Sequence, residues 1–169
     1  MKGHLFWIVV WAGVVLAGYL LTDYLTTPPP VVRSLMRGQQ EIAVPVSPDG
    51  HYYLAGAVNG VPVRFMVDTG ASYVSVGAAF ARKAGLREGI PGYFSTANGR
   101  VEGRVVKNQT VRADALEISG LSVAVMPEQA GEALLGQNFL RHFDVLQSAG
   151  TLRFRVRGDG RDLSRPATQ

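Results

Sequence analysis

One apolar segment, predicted to be a strand, is followed directly by an aspartate. The alternating run Val63–Val67 leads directly into the sequence Asp68-Thr69-Gly70-Ala71-Ser72. An ionised carboxylate at the end of a buried strand loses hydration, so it needs compensating hydrogen bonds. The hydroxyl of Thr69 can supply one, and Gly70 lets backbone amides come close to the carboxylate. Asp68 is therefore a candidate for acid–base chemistry, although a solvated aspartate in a turn would have the same sequence.

Two further motifs follow Asp68 along the chain. The first is a hairpin signal, because Asn-Gly suits a tight turn that needs positive φ at both central positions; it reads Thr96-Ala97-Asn98-Gly99. The second is a pair of aliphatic residues and a glycine that lead into a short predicted helix, and it reads Leu134-Leu135-Gly136. Each motif alone is common, so the order of the three carries the information.

In order and spacing, the three motifs resemble the retroviral-type, or retropepsin-like, aspartic proteases. The segment from Asp68 to Ser72 matches their active-site loop, and the hairpin lies at the position of their substrate-covering flap. The segment Leu134–Gly136 resembles the strand that crosses behind the aspartate loop. The resemblance extends from Tyr52 to Val156. With the apolar N-terminus described below, the chain is most similar to the bacterial, membrane-tethered branch of that family.

The resemblance implies a mostly β fold: a closed retropepsin-like barrel with short helices, which works as a homodimer on a protein or peptide substrate. The sequence agrees with a two-chain site, since Asp-Thr-Gly occurs only at Asp68 and the chemistry needs two carboxylates around one water. Two carboxylates held close together cannot both ionise, so one keeps its proton. The ionised Asp68 would take a proton from the attacking water, while Asp68 of the partner subunit would polarise the scissile carbonyl.

The resemblance also implies roles for the residues around Asp68. Thr69 would form hydrogen bonds across the two-fold axis, and Gly70 and Ala71 would touch the substrate backbone, with Ser72 completing the loop. The flap would close over the substrate, and it comprises Thr96, Ala97, Asn98 and Gly99. The loop would be supported from behind by Leu134, Leu135 and Gly136. The family needs no cofactor and no metal ion.

Other site chemistries do not fit the sequence. The chain has no cysteine, which excludes a disulfide framework, a thiolate metal site and a cysteine nucleophile. His4, His51 and His142 lack the spacing of metal ligands, so we expect no metal ion. Ser72 lacks the second glycine of a Gly-x-Ser-x-Gly motif. A net charge of +4 is too small to indicate nucleic-acid binding without a clustered basic face.

Short strands dominate the predicted domain. A hairpin is expected at Asn59-Gly60, between strands at Tyr53–Val58 and Val61–Val67. An edge strand is expected at Ile42–Val46. The other predicted strands are Tyr93–Ala97, Arg100–Val106, Thr110–Leu116, Leu121–Met126 and Thr151–Arg157.

Two short helices are expected among these strands. One is predicted at Val76–Ala84, with Ser75 as its N-cap and Gly85 as the glycine after its C-terminus. The other is predicted to begin near Asn138 and to carry Phe139, Leu140 and Phe143. The helices are too short to form a layer of their own, so the architecture remains mostly β.

The N-terminus carries an uncharged apolar run from Leu5 to Leu21, near the lower length limit for a helix that crosses a hydrocarbon core of about 30 Å. We interpret residues 1–22 as a transmembrane signal anchor. A cleaved signal peptide is the alternative, because Lys2 precedes the run and Ala17 and Gly18 are small. Either interpretation exports the rest of the chain. We expect a single-pass protein of the inner (cytoplasmic) membrane with a periplasmic domain.

The remaining segments divide by composition. Residues 23–50 are interpreted as a proline-rich tether, because Pro28-Pro29-Pro30 favours a stiff, extended chain. Residues 51–157 form the predicted domain, and residues 158–169 form a polar tail. Two functions fit this organisation: a membrane-anchored aspartic endopeptidase that cleaves exposed protein segments, or a non-catalytic dimer of the same fold that binds peptides or scaffolds a partner. The intact Asp-Thr-Gly favours the endopeptidase.

Overall fold

A computed structural model describes residues 2–26, 31–34, 41–96, 99–127, 129 and 131–156. Strands dominate the part after the first helix. In chain order the elements are α1 (Lys2–Thr26), β1 (Val31–Ser34), β2 (Glu41–Pro45), β3 (Tyr53–Val58), β4 (Val61–Val67), β5 (Val74–Gly77), α2 (Ala78–Lys83), β6 (Ile90–Thr96), β7 (Gly99–Ala113), β8 (Leu116–Met126), β9 (Ala133–Leu135), α3 (Gln137–Leu140), β10 (Phe143–Ser148) and β11 (Thr151–Val156).

Six strands close on themselves into a barrel. The order around it is β8, β5, β9, β4, β3 and β7, and β7 pairs with β8 to complete the ring. Outside the ring, β6 pairs with β7 as the second arm of a hairpin, and β1 pairs with one end of β8. The expectation of a mostly β, closed barrel with short helices is confirmed.

A second, smaller sheet has the order β10, β11, β2. The edge strand expected at Ile42–Val46 is confirmed as β2, and its Ile42 and Val44 are buried. Both β1 and β2 come from residues 23–50, where the composition predicts a tether, so strand pairing begins before His51. The rest of the tether between these strands, and the tail of residues 158–169, lie outside the described residues.

Four phenylalanine side chains join the elements of the core. Phe65, Phe139, Phe143 and Phe154 belong to β4, α3, β10 and β11, and none is more than 1% exposed. The rings of Phe139 and Phe143 lie 5.2 Å apart between centroids. Burial of large aromatic side chains contributes strongly to stability. These residues therefore fix α3 and the smaller sheet to the barrel.

The Asn59-Gly60 hairpin is confirmed. Asn59 has φ of 51° and Gly60 has φ of 79°, which are the positive values that a two-residue turn of this type needs. The side-chain amide of Asn59 also donates a hydrogen bond of 3.0 Å to the carbonyl oxygen of Ala84, just after α2. Its Oδ1 accepts a hydrogen bond of 3.1 Å from the backbone amide of Thr110. This turn therefore also joins α2 to β7.

The predicted helix at Val76–Ala84 begins too early. Residues Val74–Gly77 form β5, and α2 spans only Ala78–Lys83, with Gly77 as its N-cap. Ser75 is therefore not an N-cap: it pairs with Ala124 of β8 and Leu134 of β9. Val74 and Val76 alternate as a buried strand requires, and pairing on both edges outweighs the helix propensity of the alanines that follow. Gly85, with φ of 73°, does follow the C-terminus of α2.

Other boundaries also differ from prediction. The strand expected at Arg100–Val106 and the first part of the one expected at Thr110–Leu116 form a single strand, β7, which ends at Ala113; its register with β8 shifts between Val106 and Gln109 without ending the pairing. Leu116 instead begins β8, so the strand expected at Leu121–Met126 starts five residues earlier. Phe143 lies in β10 and not in the helix, because α3 ends at Leu140.

The first element, α1, is 25 residues long, and its side chains from Phe6 to Leu21 are exposed. Within the part of the chain that the structure describes, no helix meets the combined length and hydropathy of a membrane span.

Candidate active site

Asp68 lies where β4 ends, at the start of a loop that leads to β5. The short strand β9 lies between β4 and β5, parallel to β4 and paired with β5 at Ser75. The backbone amide of Asp68 donates 3.2 Å to the carbonyl oxygen of Leu135 in β9. The loop therefore connects β4 to β5 around β9, a strand that is distant in sequence. Pairing with β9 on both sides fixes both ends of the loop.

The carboxylate of Asp68 is held by its own loop. The backbone amide of Gly70 donates 2.8 Å to Oδ1, and the amide of Ala71 donates 3.3 Å to the backbone carbonyl of Asp68. Asp68 is half-buried, while Thr69 and Gly70 are exposed. A hydrogen bond from a backbone amide fixes the orientation of a carboxylate. The backbone of the loop thus orients the Asp68 carboxylate, and no positively charged side chain of the same loop takes part.

The predicted supporting residues lie behind this loop. Leu134 and Leu135 pair with Met66 and Val67, the last two residues of β4. Gly136 lies against the loop backbone: a Cβ at this position would be 2.3 Å from the carbonyl oxygen of Tyr73 and 2.7 Å from that of Ala71. No side chain larger than hydrogen fits in that space, so the glycine lets β9 and the loop pack in direct backbone contact.

Two polar residues at the start of α3 fasten the loop, and the three sequence motifs do not identify them as site residues. Gln137 donates its side-chain amide to the carbonyl oxygen of Thr69 at 3.0 Å and its backbone amide to that of Ala71 at 2.8 Å. Asn138 is 8% exposed; its Oδ1 accepts from the Val74 amide at 2.7 Å. The signal in the sequence was two adjacent amide side chains at the start of an apolar helix.

A cleft of about 750 Å³ lies above Asp68. Its walls combine the loop, the flap hairpin and the barrel strands behind them, and it is lined by Asp68, Gly70, Ala71, Ser72, Tyr73, Ser75, Tyr93, Phe94, Ser95, Thr96, Ala124, Met126 and Leu134. Asp68 is the one carboxylate among these lining residues. A second cavity, of about 460 Å³ on the β3–β4 hairpin, has no carboxylate in its lining, so the acid–base chemistry belongs to the larger cleft.

The predicted flap is the hairpin of β6 and β7. Thr96 and Gly99 pair at its end, and the Thr96 hydroxyl donates 2.8 Å to the Gly99 carbonyl oxygen. Ala97 and Asn98 lie outside the described residues. Behind the tip, the ring of Phe94 meets that of Tyr73 edge-on, with 6.3 Å between centroids. The structure thus brings the flap to the same cleft as the aspartate loop.

The described side chains form no group of three or more histidine, cysteine, aspartate or glutamate residues able to hold a metal ion. Within one protomer, the site therefore consists of a single oriented carboxylate in a cleft. Such a carboxylate can accept or donate one proton, but the two-carboxylate chemistry needs a second one from elsewhere.

The family model of gag-polyprotein putative aspartyl proteases matches residues 54–142, more than half of the chain. The chain belongs to this family. The matched region contains the Asp68 loop, the flap hairpin and Gly136, which are the three motifs on which the sequence resemblance rests.

Among solved structures, the chain is similar to a retropepsin-like aspartic protease from Rickettsia conorii. The TM-score is 0.59 with 27% identity, over 76% of this chain and 94% of that chain. The predicted resemblance to retropepsin-like aspartic proteases is therefore confirmed by both the sequence family and the fold.

Two curated relatives are also similar. One is an uncharacterized protein in the cobV 5' region of Sinorhizobium sp., 29% identical over 65% of this chain. The other is the uncharacterized protein RP867 of Rickettsia prowazekii (strain Madrid E), 42% identical over 35% of this chain. The aligned part spans 49% of the first relative and 27% of the second, so the chain matches half or less of each.

Proposed function

We propose that the chain is an aspartic endopeptidase that works as a homodimer and hydrolyses peptide bonds in exposed segments of proteins. The observation that carries the proposal is the Asp68 carboxylate, oriented by the Gly70 amide at the floor of a cleft that the flap hairpin overhangs. Family membership and the likeness to a solved aspartic protease support the same chemistry.

Each protomer contributes one Asp68 to the proposed site. A water between the two carboxylates attacks the scissile carbonyl carbon, and the ionised carboxylate accepts a proton from that water. The protonated carboxylate of the other chain hydrogen-bonds the carbonyl oxygen and later gives a proton to the leaving amine. Thr69, Gly70 and Ser72 are exposed and are therefore loop residues that a second protomer can meet.

The decisive experiment compares the full-length chain with its Asp68→Asn variant on a peptide library. The substitution keeps the size of the side chain and removes the acid–base pair, so cleavage should fall to background while the dimer mass and the unfolding midpoint persist. Undiminished cleavage by Asp68→Asn would exclude the proposed mechanism. Peptide binding without cleavage by the unaltered chain would instead support the non-catalytic, peptide-binding alternative.

We also propose that the N-terminal segment attaches the enzyme to the inner membrane, with the barrel in the periplasm. The uncharged run Leu5–Leu21 supports this proposal. Alkaline extraction of membranes from cells that produce the chain tests it, with a chain lacking residues 1–30 as the control, since that control retains every strand. The full-length chain should stay with the membranes and the control should not. Release of both by alkaline extraction would contradict the anchor.

A further inference from the structure

Ser75 has a buried hydroxyl group without a hydrogen-bond partner. The side chain is 2% exposed, and its Oγ contacts no donor or acceptor among the described residues. A buried hydroxyl that forms no hydrogen bond destabilises the fold, so native proteins rarely leave one without a partner. An unpartnered hydroxyl is therefore a place to look for a group that arrives with a ligand.

Strand geometry directs this hydroxyl toward the cleft. The neighbours of Ser75 along β5, Val74 and Val76, are buried in the core, and side chains alternate along a strand. Ser75 therefore faces the opposite side, where it contributes to the lining of the cleft that contains Asp68. Because almost none of its surface is exposed, it belongs to the floor and not to the rim.

The residues paired with Ser75 explain why its hydroxyl forms no hydrogen bond among the described residues. Ser75 pairs with Ala124 on β8 and with Leu134 on β9, and both of these residues also line the cleft. Their side chains carry no donor or acceptor. The floor is thus a row of Ala124, Ser75 and Leu134 across three adjacent strands, with one polar atom between two apolar side chains. Alanine and serine are short, which leaves depth above them.

We propose that Ser75 forms the floor of a subsite that selects a neutral hydrogen-bonding side chain of the substrate, such as threonine, serine or asparagine, at one position near the scissile bond. This inference rests on the proposed endopeptidase function and adds a substrate preference to it. A neutral side chain is favoured because the subsite offers a hydroxyl and two apolar walls, and an unpaired charge there would lose hydration without compensation. A purely apolar side chain would leave the Ser75 hydroxyl unsatisfied in the complex.

The test uses peptides that differ only by threonine or valine, since these side chains have nearly the same shape. Each of three positions on either side of the scissile bond carries the pair in turn, and kcat/KM is measured for the full-length chain, for Ser75→Ala and for Ser119→Ala. Ser119 lies on β8 outside the cleft lining and accepts from Thr110, so it is a matched serine control.

At one position, the unaltered chain and Ser119→Ala should prefer threonine by about three- to tenfold, the range expected for one neutral hydrogen bond. Ser75→Ala should reduce that preference to about one or invert it, at that position alone. An unchanged preference in Ser75→Ala overturns the proposal. An equal loss of rate on all peptides also overturns it, because the hydroxyl would then contact the peptide backbone.

Two further measurements keep this result separate from the proposed function. The first is calorimetric measurement of peptide binding to Asp68→Asn and to the double variant Asp68→Asn/Ser75→Ala. It repeats the threonine–valine comparison without turnover. A Ser75-dependent difference in binding without any cleavage by the unaltered chain supports the subsite and refutes the endopeptidase. Cleavage that depends on Asp68 but shows no Ser75-dependent preference supports the endopeptidase and refutes the subsite. An unfolding midpoint that falls in Ser75→Ala would show that the hydroxyl is bonded within the fold, against the proposal.

Discussion

Replacing Gly136, which lies between β9 and α3, with alanine is expected to destabilise the domain more than the same change at a glycine with open space around it. The added Cβ would lie 2.3 Å from the Tyr73 carbonyl oxygen and 2.7 Å from that of Ala71, more than 0.5 Å inside the optimum of about 3.5 Å for non-bonded atoms. Both obstacles are backbone atoms of the aspartate loop. The clash can therefore be relieved only by moving the loop away from β9.

That movement has a calculable cost. Overpacking of this kind typically costs about 1–3 kcal/mol. Displacing the loop also stretches the hydrogen bonds from the Gln137 amide to Ala71 and from the Asn138 amide to Ser72, now 2.8 and 3.1 Å long, at about 1 kcal/mol each. We expect a total loss of about 4 kcal/mol in the free energy of unfolding, which lowers Tm by about 12 °C at about 3 °C per kcal/mol for a chain of this size.

The assay is thermal and urea unfolding of the full-length chain, followed by circular dichroism, with Gly92→Ala as the matched control. Gly92 lies in β6, its φ is not positive, and an added Cβ there meets nothing within 4 Å. Gly92→Ala should stay within about 1 kcal/mol of the unaltered chain. If Gly136→Ala matches Gly92→Ala in both Tm and urea midpoint, the close packing of β9 against the loop does not constrain this residue.

Two further predictions concern the smaller sheet. Ala149 adopts φ of 47° in the two-residue turn between β10 and β11, where asparagine is better tolerated, so Ala149→Asn should raise the free energy of unfolding by about 1 kcal/mol and Ala149→Val should lower it, as urea unfolding will show. Hydrogen bonds from Arg153 and then Arg155 lower the pKa of Glu41 from 4.5. A carboxylate whose pKa is lower in the folded than in the unfolded chain stabilises the fold at pH values above its unfolded pKa. That stabilisation is lost as the pH falls through the folded pKa. Glu41→Gln should therefore reduce the urea midpoint at pH 7, and the difference should vanish in acid; a pH-independent difference would contradict the ion-pair explanation.

Local sequence signals predicted the elements that depend on neighbouring residues. The Asn59-Gly60 turn formed as expected because its requirement for positive φ is local, and the strands on either side of it match their predicted bounds. Asp68 could be singled out for the same reason, since an apolar strand that ends on a carboxylate is visible in consecutive residues. The closed barrel itself was predicted through the family resemblance and not from periodicity.

Elements that depend on distant pairing were harder to predict. The sequence predicts a helix from Val76, with Ser75 as its N-cap, because helix-forming alanines follow, and only pairing with β8 and β9 makes Val74–Gly77 a strand. The three residues of β9 are too few for a periodic pattern. Gln137 and Asn138 were overlooked because their partners lie more than sixty residues away in sequence, on the loop from Thr69 to Val74.

The support of the aspartate loop suggests how a site shared between two chains can be ready before they meet. Its constraints come from within one protomer: the Gly70 amide on Asp68, the backbone contact at Gly136 and the amides of α3. Thr69 and Gly70 remain exposed although their backbone groups take part in these contacts. In the proposed homodimer, association would then require no free energy for ordering the loop, because each protomer has already ordered it in folding. A second protomer would have to supply only its own oriented carboxylate.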